Sequence, residues 1–369
     1  MTAMKRHSGI FVRQRGMSLV EILVGVLIGM IGIVVIFQML AASEERKRTT
    51  GAGTDAQVAG AIALHRLERD LKAVGYGFGT AALMGCTVNA YDGARPATAF
   101  TFTLSPVMIT QGAGGLSDTI TGLYGNSALF TATQTFSAST TTTKRTQGRG
   151  GLQNGDLIVV AGSGPVCAMV EVTATNNADG VTIDHASGSY VNAAGNTVTS
   201  RYNSAAGPAV AFTSGNIYNL GSSPRRNVWS IRSNKILTMS NDLAYADANG
   251  DGQNDWGEVA DGVIDLQGEY GVDADNDNRI ASGEWTTATP ADWSKVRALR
   301  VALLLRSGQY EKTAVTATAP AWAGGSFVMR NVDGTTDSNP GNDNDWRYYR
   351  YRVYQAVIPL RNMIWGTAP

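Results

Sequence analysis

The strongest hydrophobic pattern in this sequence is an unbroken apolar run at residues 22–37. An apolar helix of about 20 residues is long enough to cross the hydrocarbon core of a bilayer. Proline, which would break a helix, is absent from Met17 until Pro96. We therefore predict that residues 17–43 form a membrane-spanning helical segment.

From residue 44 onward the pattern becomes that of an amphipathic helix. Apolar residues recur three to five positions apart, which places them on one helical face. These residues are Val58, Ile62, Leu67, Leu71 and Val74. Gly75 follows as a favourable C-cap. We expect residues 44–75 to continue the helix and to bury this face against a sheet.

Residues 76–369 have a different pattern, in which short β-branched and aromatic runs alternate with Gly, Asn and Ser clusters. This pattern is typical of an antiparallel, β-rich head. The predicted strands are 99–104, 120–123, 157–160, 166–172, 181–183, 209–213, 228–239, 298–305, 326–330 and 348–360. Residues 137–151 are low in complexity and are predicted to form an exposed loop. The expected fold class is α+β, with a long N-terminal helix packed on the head.

The N-terminal residues carry a net positive charge. Residues 1–16 contain Lys5, Arg6, Arg13 and Arg15 and no acidic residue, which favours a cytoplasmic N-terminus and a head outside the inner membrane. The whole chain has 30 basic and 30 acidic residues, so removing these four leaves 26 basic residues. A mildly acidic mature chain is a poor general binder of nucleic acid, and none is expected as a partner.

A lone acid, Glu21, lies at the start of the apolar segment, where burying its charge in lipid costs about 3 kcal/mol. The preceding residues, from Gly16 through Met17, read GMSLVE. This arrangement resembles the class III leader of type IV pilins and type II secretion pseudopilins. The resemblance implies that prepilin peptidase cuts after Gly16 and methylates Met17. It also implies that Glu21 pairs with the N-terminal ammonium of a neighbouring subunit. The alternative is an ordinary signal anchor with an accidental acid.

Three further stretches resemble the PilW family of type IV pilus minor pilins: LHRLERDLKAVGY at 64–76, VALLLR at 301–306 and YRVYQAVIPLRN at 351–362. The resemblance implies a structural role rather than an enzymatic one. Such a protein starts in the inner membrane as a single-pass subunit with a periplasmic head (76–369). It would join other minor pilins and the major pilin, prime pilus assembly and end at the tip on the cell surface, where an adhesin is a possible partner.

Two other functions remain open at this point. One is a type II secretion minor pseudopilin resembling GspJ, whose heads are usually smaller than this one. The other is a calcium-dependent tip adhesin or DNA-uptake pilin. No nucleophile–base pair and no phosphate-binding loop marks the sequence as an enzyme.

Residues 241–285 hold 12 acidic residues and a single basic one, Arg279. Their spacing predicts two EF-hand-like loops, in which alternate side chains direct oxygens toward one Ca²⁺ ion. In the first loop, positions 1, 3, 5, 7, 9 and 12 are Asp247, Asn249, Asp251, Gln253 (through its carbonyl), Asp255 and Glu258. In the second, positions 1, 3, 5, 7 and 12 are Asp273, Asp275, Asp277, Arg279 (through its carbonyl) and Glu284. We expect one or two calcium sites within residues 241–290; the alternative is an acidic surface turn that binds nothing.

The first loop departs from the usual pattern at position 8. It has Asn254 there, whereas the second loop has the expected apolar residue, Ile280. Position 6, which requires a left-handed backbone, is Gly252 in the first loop and Asn278 in the second.

The chain has two cysteines, Cys86 and Cys167. Outside the inner membrane they could form a disulfide, because that compartment is oxidising. Two buried free thiols are the alternative.

Overall fold

The computed structural model describes residues 16–78, 84–127, 133–162, 164–175, 177–233, 235–336 and 344–364. Residues 1–15, which contain the four basic residues of the predicted leader, lie outside the described residues. The chain divides into two compact units, Met1–Ala52 and Gly53–Pro369.

The first unit is dominated by the N-terminal part of helix α1 (Leu19–Leu71). Within it, Leu19–Glu44 is 26 residues long and apolar enough to cross a membrane, and it spans about 39 Å at 1.5 Å per residue. Its large side chains are exposed, for example Leu23 and Phe37. The prediction of an N-terminal apolar helix is confirmed.

In the second unit the C-terminal part of α1 packs on the sheets. Leu67, Leu71 and Val74 are fully buried, as the pattern predicted. Val58 and Ile62 are 55% and 45% exposed, so the predicted stripe is wrong at its N-terminal end. The buried face there contains small residues instead, because the helix backbone approaches the head closely at Gly60.

The first part of the head contains eleven short strands among the described residues. They are β1 (Thr87–Tyr91), β2 (Ala99–Thr103), β3 (Val107–Thr110), β4 (Thr119–Tyr124), β5 (Gln134–Ser139), β6 (Thr143–Thr146), β7 (Leu157–Ala161), β8 (Val166–Glu171), β9 (Thr182–Asp184), β10 (Ser189–Val191) and β11 (Thr197–Thr199).

The second part contains ten more described strands and a short terminal helix. They are β12 (Gly215–Gly221), β13 (Arg225–Ile231), β14 (Ile236–Asn241), β15 (Gly257–Asp261), β16 (Val263–Val272), β17 (Trp285–Thr286), β18 (Val296–Arg306), β19 (Ala321–Trp322), β20 (Gly325–Ser326), β21 (Tyr351–Pro359) and α2 (Arg361–Ile364).

Most of these strands belong to three sheets. The largest has the order β2-β1-β8-β7-β12-β5-β6-β9, and the others have the orders β15-β14-β13-β4-β3 and β17-β16-β18-β21. The described pairings within them are antiparallel except that of β1 with β8, which is parallel. Two hairpins, β10-β11 and β19-β20, complete the described strands. An α+β fold with a β-rich, antiparallel head is confirmed.

Each sheet is stabilised by a separate part of the apolar core. Every residue of β7 is buried, because alternate side chains enter the cores on the two faces of the largest sheet. The second unit's main core joins α1 to the two smaller sheets through Leu67, Ile120, Trp229 and Leu299. This core lies directly beside the second acidic loop, since β16 and β18 both contribute to it.

Several strand predictions are wrong. Residues 209–213 are not a strand; the strand begins six residues later, at Gly215. Residues 228–239 form two strands, with a turn in which the Lys235 N–H donates to the Arg232 carbonyl (2.8 Å). Residues 326–330 are extended only at their start. Residues 137–151 are not one exposed loop, because β5 and β6 occupy much of them and Lys144 is buried.

Candidate functional site

Glu21 lies in the first turn of α1. Its N–H donates to the Ser18 carbonyl (3.0 Å), and the Ser18 hydroxyl accepts a hydrogen bond from the Val20 N–H (3.3 Å). Gly16 and Met17 precede the helix and are exposed. An acidic side chain is favoured at this end of a helix by the positive end of the macrodipole. The site therefore presents one carboxylate beside the predicted new N-terminus.

The second acidic loop (residues 273–284) connects β16 to β17. These strands pair at Tyr270 with Thr286 and at Gly271 with Trp285, so the loop is the closing turn of a hairpin. Asp273 is fully buried, and its N–H donates to the Lys295 carbonyl (2.9 Å). The loop is thus tied to the segment that leads into β18.

Three carboxylates of this loop lie close together. One oxygen each from Asp273, Asp275 and Asp277 lies within 4.8 Å of the others. The same side chains accept hydrogen bonds from the loop's backbone: the Asn278 N–H donates to Asp273 Oδ2 (3.2 Å), and the Arg279 N–H donates to Asp277 Oδ1 (2.7 Å). The structure therefore brings together positions 1, 3 and 5 of the predicted ligand set.

Glu284, the residue at position 12, closes the loop. Its two carboxylate oxygens accept the N–H groups of Ala274 and Ala281, both at 2.8 Å. These hydrogen bonds lower the pKa of Glu284, because they favour its charged form. The carboxylate therefore holds both ends of the loop together.

Two basic residues border the second loop. Arg297 Nε lies 3.4 Å from Asp273 Oδ2, and Lys295 Nζ donates to the Ala274 carbonyl (3.1 Å). Neither residue was predicted from the sequence to belong to the site. Their positions follow from the pairing of β16 with β18, which sets Val272 opposite Val296. No local sequence signal identifies that register.

The first loop (residues 247–258) repeats the same local hydrogen bonds. The Gly252 N–H donates to Asp247 Oδ2 (2.9 Å), and the Gln253 N–H donates to Asp251 Oδ1 (2.8 Å). In both loops positions 4 and 6 have positive φ: 74° and 76° at Gly250 and Gly252, and 63° at both Asn276 and Asn278. The two predicted loops are therefore the same kind of turn.

The first loop differs in how its later ligands are placed. Glu258 lies exposed on β15, and Asp255 Oδ2 accepts the Ala248 N–H (3.0 Å). Asn254, at the position where an apolar residue was expected, donates to the Asn241 carbonyl and accepts from the Ala246 N–H. Within the described chain, the group of three converging carboxylates is that of the second loop.

Cys86 and Cys167 form a disulfide, with Cα atoms 5.9 Å apart. Both are buried, in the core on one face of the largest sheet. The bridge joins the residue before β1 to the second residue of β8, so it reinforces the parallel strand pair.

A family model described as type IV pilus-assembly protein W, PilW, matches residues 229–362. No curated protein and no solved structure matches the chain. The matched segment runs from β13 into α2 and includes both acidic loops. It supports a role in type IV pilus assembly, which is structural rather than enzymatic. The predicted resemblance of this chain to the PilW family of type IV pilus-assembly proteins is thereby confirmed, through residues 229–362 of its head.

Proposed function

We propose that this chain is a minor pilin of the type IV pilus, which primes assembly with other minor pilins and becomes part of the tip complex. The observation that carries the proposal is the PilW match in the head of a chain that begins with an apolar, membrane-length helix. The match favours the pilus over a type II secretion system.

The apolar half of α1 supplies the physical basis of assembly. Its side chains from Leu19 to Leu40 are exposed along the first unit, so they need lipid before assembly and neighbouring helices afterwards. Gly25 and Gly29 lie four residues apart, with open space beside their Cα atoms, which suits close helix–helix approach.

Glu21 supplies the specificity of this packing. A carboxylate in the membrane segment is costly by itself, by about 3 kcal/mol on insertion scales. Pairing with the N-terminal ammonium of a neighbouring subunit, created by cleavage between Gly16 and Met17, offsets that cost. A subunit whose carboxylate has no such partner is disfavoured in the filament. The major pilin and the other minor pilins are the partners in this scheme.

A substitution at Glu21 tests the proposal in host cells that lack the native gene. We expect Glu21→Ala to abolish surface pili while the protein still accumulates in the inner membrane. Glu44→Ala is the matched control, because it removes an exposed carboxylate at the far end of the same segment, beyond the apolar side chains that pack in the filament. Normal piliation with Glu21→Ala would contradict the assembly role.

A second measurement tests processing. Mass spectrometry of the protein purified from membranes should find an N-methylated Met17 as its first residue. An N-terminus at any other residue would contradict assignment to the pilin superfamily's processing route.

A further inference from the structure

We propose that the second loop, residues 273–284, is a calcium site whose ligands are the carboxylates of Asp273, Asp275, Asp277 and Glu284 and the carbonyl of Arg279. This proposal does not depend on the assembly role, since it concerns the chemistry of one hairpin turn.

Negative charge converges in the second loop. Three carboxylate oxygens within 4.8 Å of one another repel strongly unless a cation lies among them. The basic groups that border the loop do not fill this role. Lys295 Nζ is engaged with the Ala274 carbonyl, and Arg297 approaches one side of Asp273 only.

One buried carboxylate oxygen of this loop is unsatisfied. Asp273 is fully buried, and its Oδ1 has no hydrogen-bond partner within the described residues. Its Oδ2 accepts from the Asn278 N–H and faces Arg297 Nε. A buried carboxylate oxygen left unpaired is rare and costly. A metal ion bound among the three aspartates would be coordinated by that oxygen, which would then no longer lack a partner.

The turn is already in the conformation that a bound ion requires. Backbone N–H groups fix the carboxylates at positions 1, 3 and 5, and Glu284 clamps the two ends of the loop. Ile280 and Trp285 both pack near Gly271, where an added Cβ would lie 3.1 Å and 3.0 Å from them. A preorganised loop loses less conformational entropy when it binds.

The donor set favours calcium over magnesium. The four carboxylates and one carbonyl can supply six or more oxygens, because each carboxylate oxygen retains a lone pair beside its backbone hydrogen bond. Ca²⁺ accepts six to eight oxygens in flexible geometry, whereas Mg²⁺ requires a near-ideal octahedron and retains its waters.

Calorimetric titration of the full-length protein in detergent with CaCl₂ tests the site. We expect a dissociation constant of roughly 10⁻⁴–10⁻³ M, as in other extracellular modules, and weaker binding of Mg²⁺. Asp275→Asn combined with Asp277→Asn should weaken binding about tenfold or more, because calcium affinity follows the number of charged ligands. Both side chains are exposed, so the fold should survive their replacement.

The matched control is Asp251→Asn at position 5 of the first loop, which has the same turn geometry without three converging carboxylates. This variant should keep the calcium binding of the second loop. Calcium should also raise the melting temperature of the native protein and of the control, and should raise that of the double variant much less. Absence of binding up to about 10 mM, tighter binding of Mg²⁺, or unchanged binding in the double variant would overturn the proposal.

Discussion

Asp70 of α1 accepts a hydrogen bond from the indole of Trp229 on β13, with Nε1 2.7 Å from Oδ2. Its other oxygen accepts from the Tyr124 hydroxyl (2.7 Å) and from the Asn227 amide (2.6 Å). One carboxylate therefore satisfies three donors from two strands of the five-stranded sheet. It fixes the rotation of the helix about its axis beside the buried Leu67 and Leu71.

Replacement of this carboxylate should destabilise the head. We expect Asp70→Ala to lower the free energy of unfolding by about 3 kcal/mol, because hydrogen bonds to a charged group are lost and the indole N–H of the buried Trp229 is left without a partner. Glu68→Ala is the control, since Glu68 makes a surface ion pair with Lys72 worth about 0.5 kcal/mol or less. Urea unfolding of the full-length protein in detergent, followed by tryptophan fluorescence, measures both. Equal effects of the two substitutions would contradict a stabilising role of the Asp70 hydrogen bonds.

The same helix meets β21 at Gly60. A Cβ at this position would lie 2.3 Å from the Tyr354 ring, and the Tyr354 hydroxyl donates to the Gln57 carbonyl (3.0 Å). Glycine normally weakens a helix relative to alanine by about 1 kcal/mol. Here the close approach of the ring requires it.

A double-mutant cycle separates these two effects. We expect Gly60→Ala to destabilise the native protein by about 1–3 kcal/mol through overpacking. In a Tyr354→Ala background, the same substitution should stabilise the protein by up to about 1 kcal/mol, because only helix propensity remains. The sign reversal, read from urea unfolding, is the decisive result. The same sign in both backgrounds would show that the ring does not impose the glycine.

The parts of the fold that the sequence predicted are those where one local signal dominates. The apolar run of α1 and the fully buried strand β7 are clear because every residue in them is apolar. Val58 and Ile62 were wrongly predicted to be buried because they are hydrophobic. The contact there depends instead on side-chain size, since small residues allow the helix backbone to approach the Tyr354 ring.

In the acidic loops, too, the sequence predicted only the features that short-range signals determine. Local spacing identified their turn geometry, since the hydrogen bonds to the carboxylates at positions 1 and 5 and the positive φ angles involve residues within five positions of one another. It did not identify Arg297, which the register of β16 on β18 brings to Asp273 from 24 residues away. It also did not distinguish the two loops, because the convergence of three carboxylates depends on how each loop joins its sheet.

The disulfide gives a third prediction. Cys86 and Cys167 are separated by 81 positions, and a crosslink over such a loop stabilises the folded state by about 4 kcal/mol in the chain-entropy model. We expect Cys86→Ser combined with Cys167→Ser to lower the free energy of unfolding by about this amount. Treating the native protein with a reductant is the control, and it should reproduce the loss without changing the variant. A variant as stable as the oxidised protein would contradict a stabilising bridge.

Lys144 and His185 form a buried basic pair. Lys144 lies in the segment predicted to be an exposed loop, and His185 directly follows β9. Lys144 Nζ lies 2.9 Å from His185 Nε2, and Lys144 also donates to the carbonyls of Thr140 and Thr143. Both side chains are nearly inaccessible to solvent. Burial, reinforced by the charge of Lys144, lowers the pKa of His185 from 6.5 to about 4, and burial lowers that of Lys144 to about 8.

These pKa values make the stability of the head depend on pH. Between pH 6.5 and pH 4 the unfolded chain takes up a proton at His185 that the folded chain does not, so the free energy of unfolding falls as the pH falls. The expected loss is about 3 kcal/mol across this window. Asp265, whose pKa burial raises to about 6, acts in the opposite direction, so a comparison with His185→Gln is needed to isolate the histidine. The stability difference between the native protein and this variant, measured by urea unfolding at several pH values, should shrink by about 3 kcal/mol between pH 6.5 and pH 4. A constant difference would show that His185 is already protonated in the folded head, and that the pair with Lys144 does not hold it neutral.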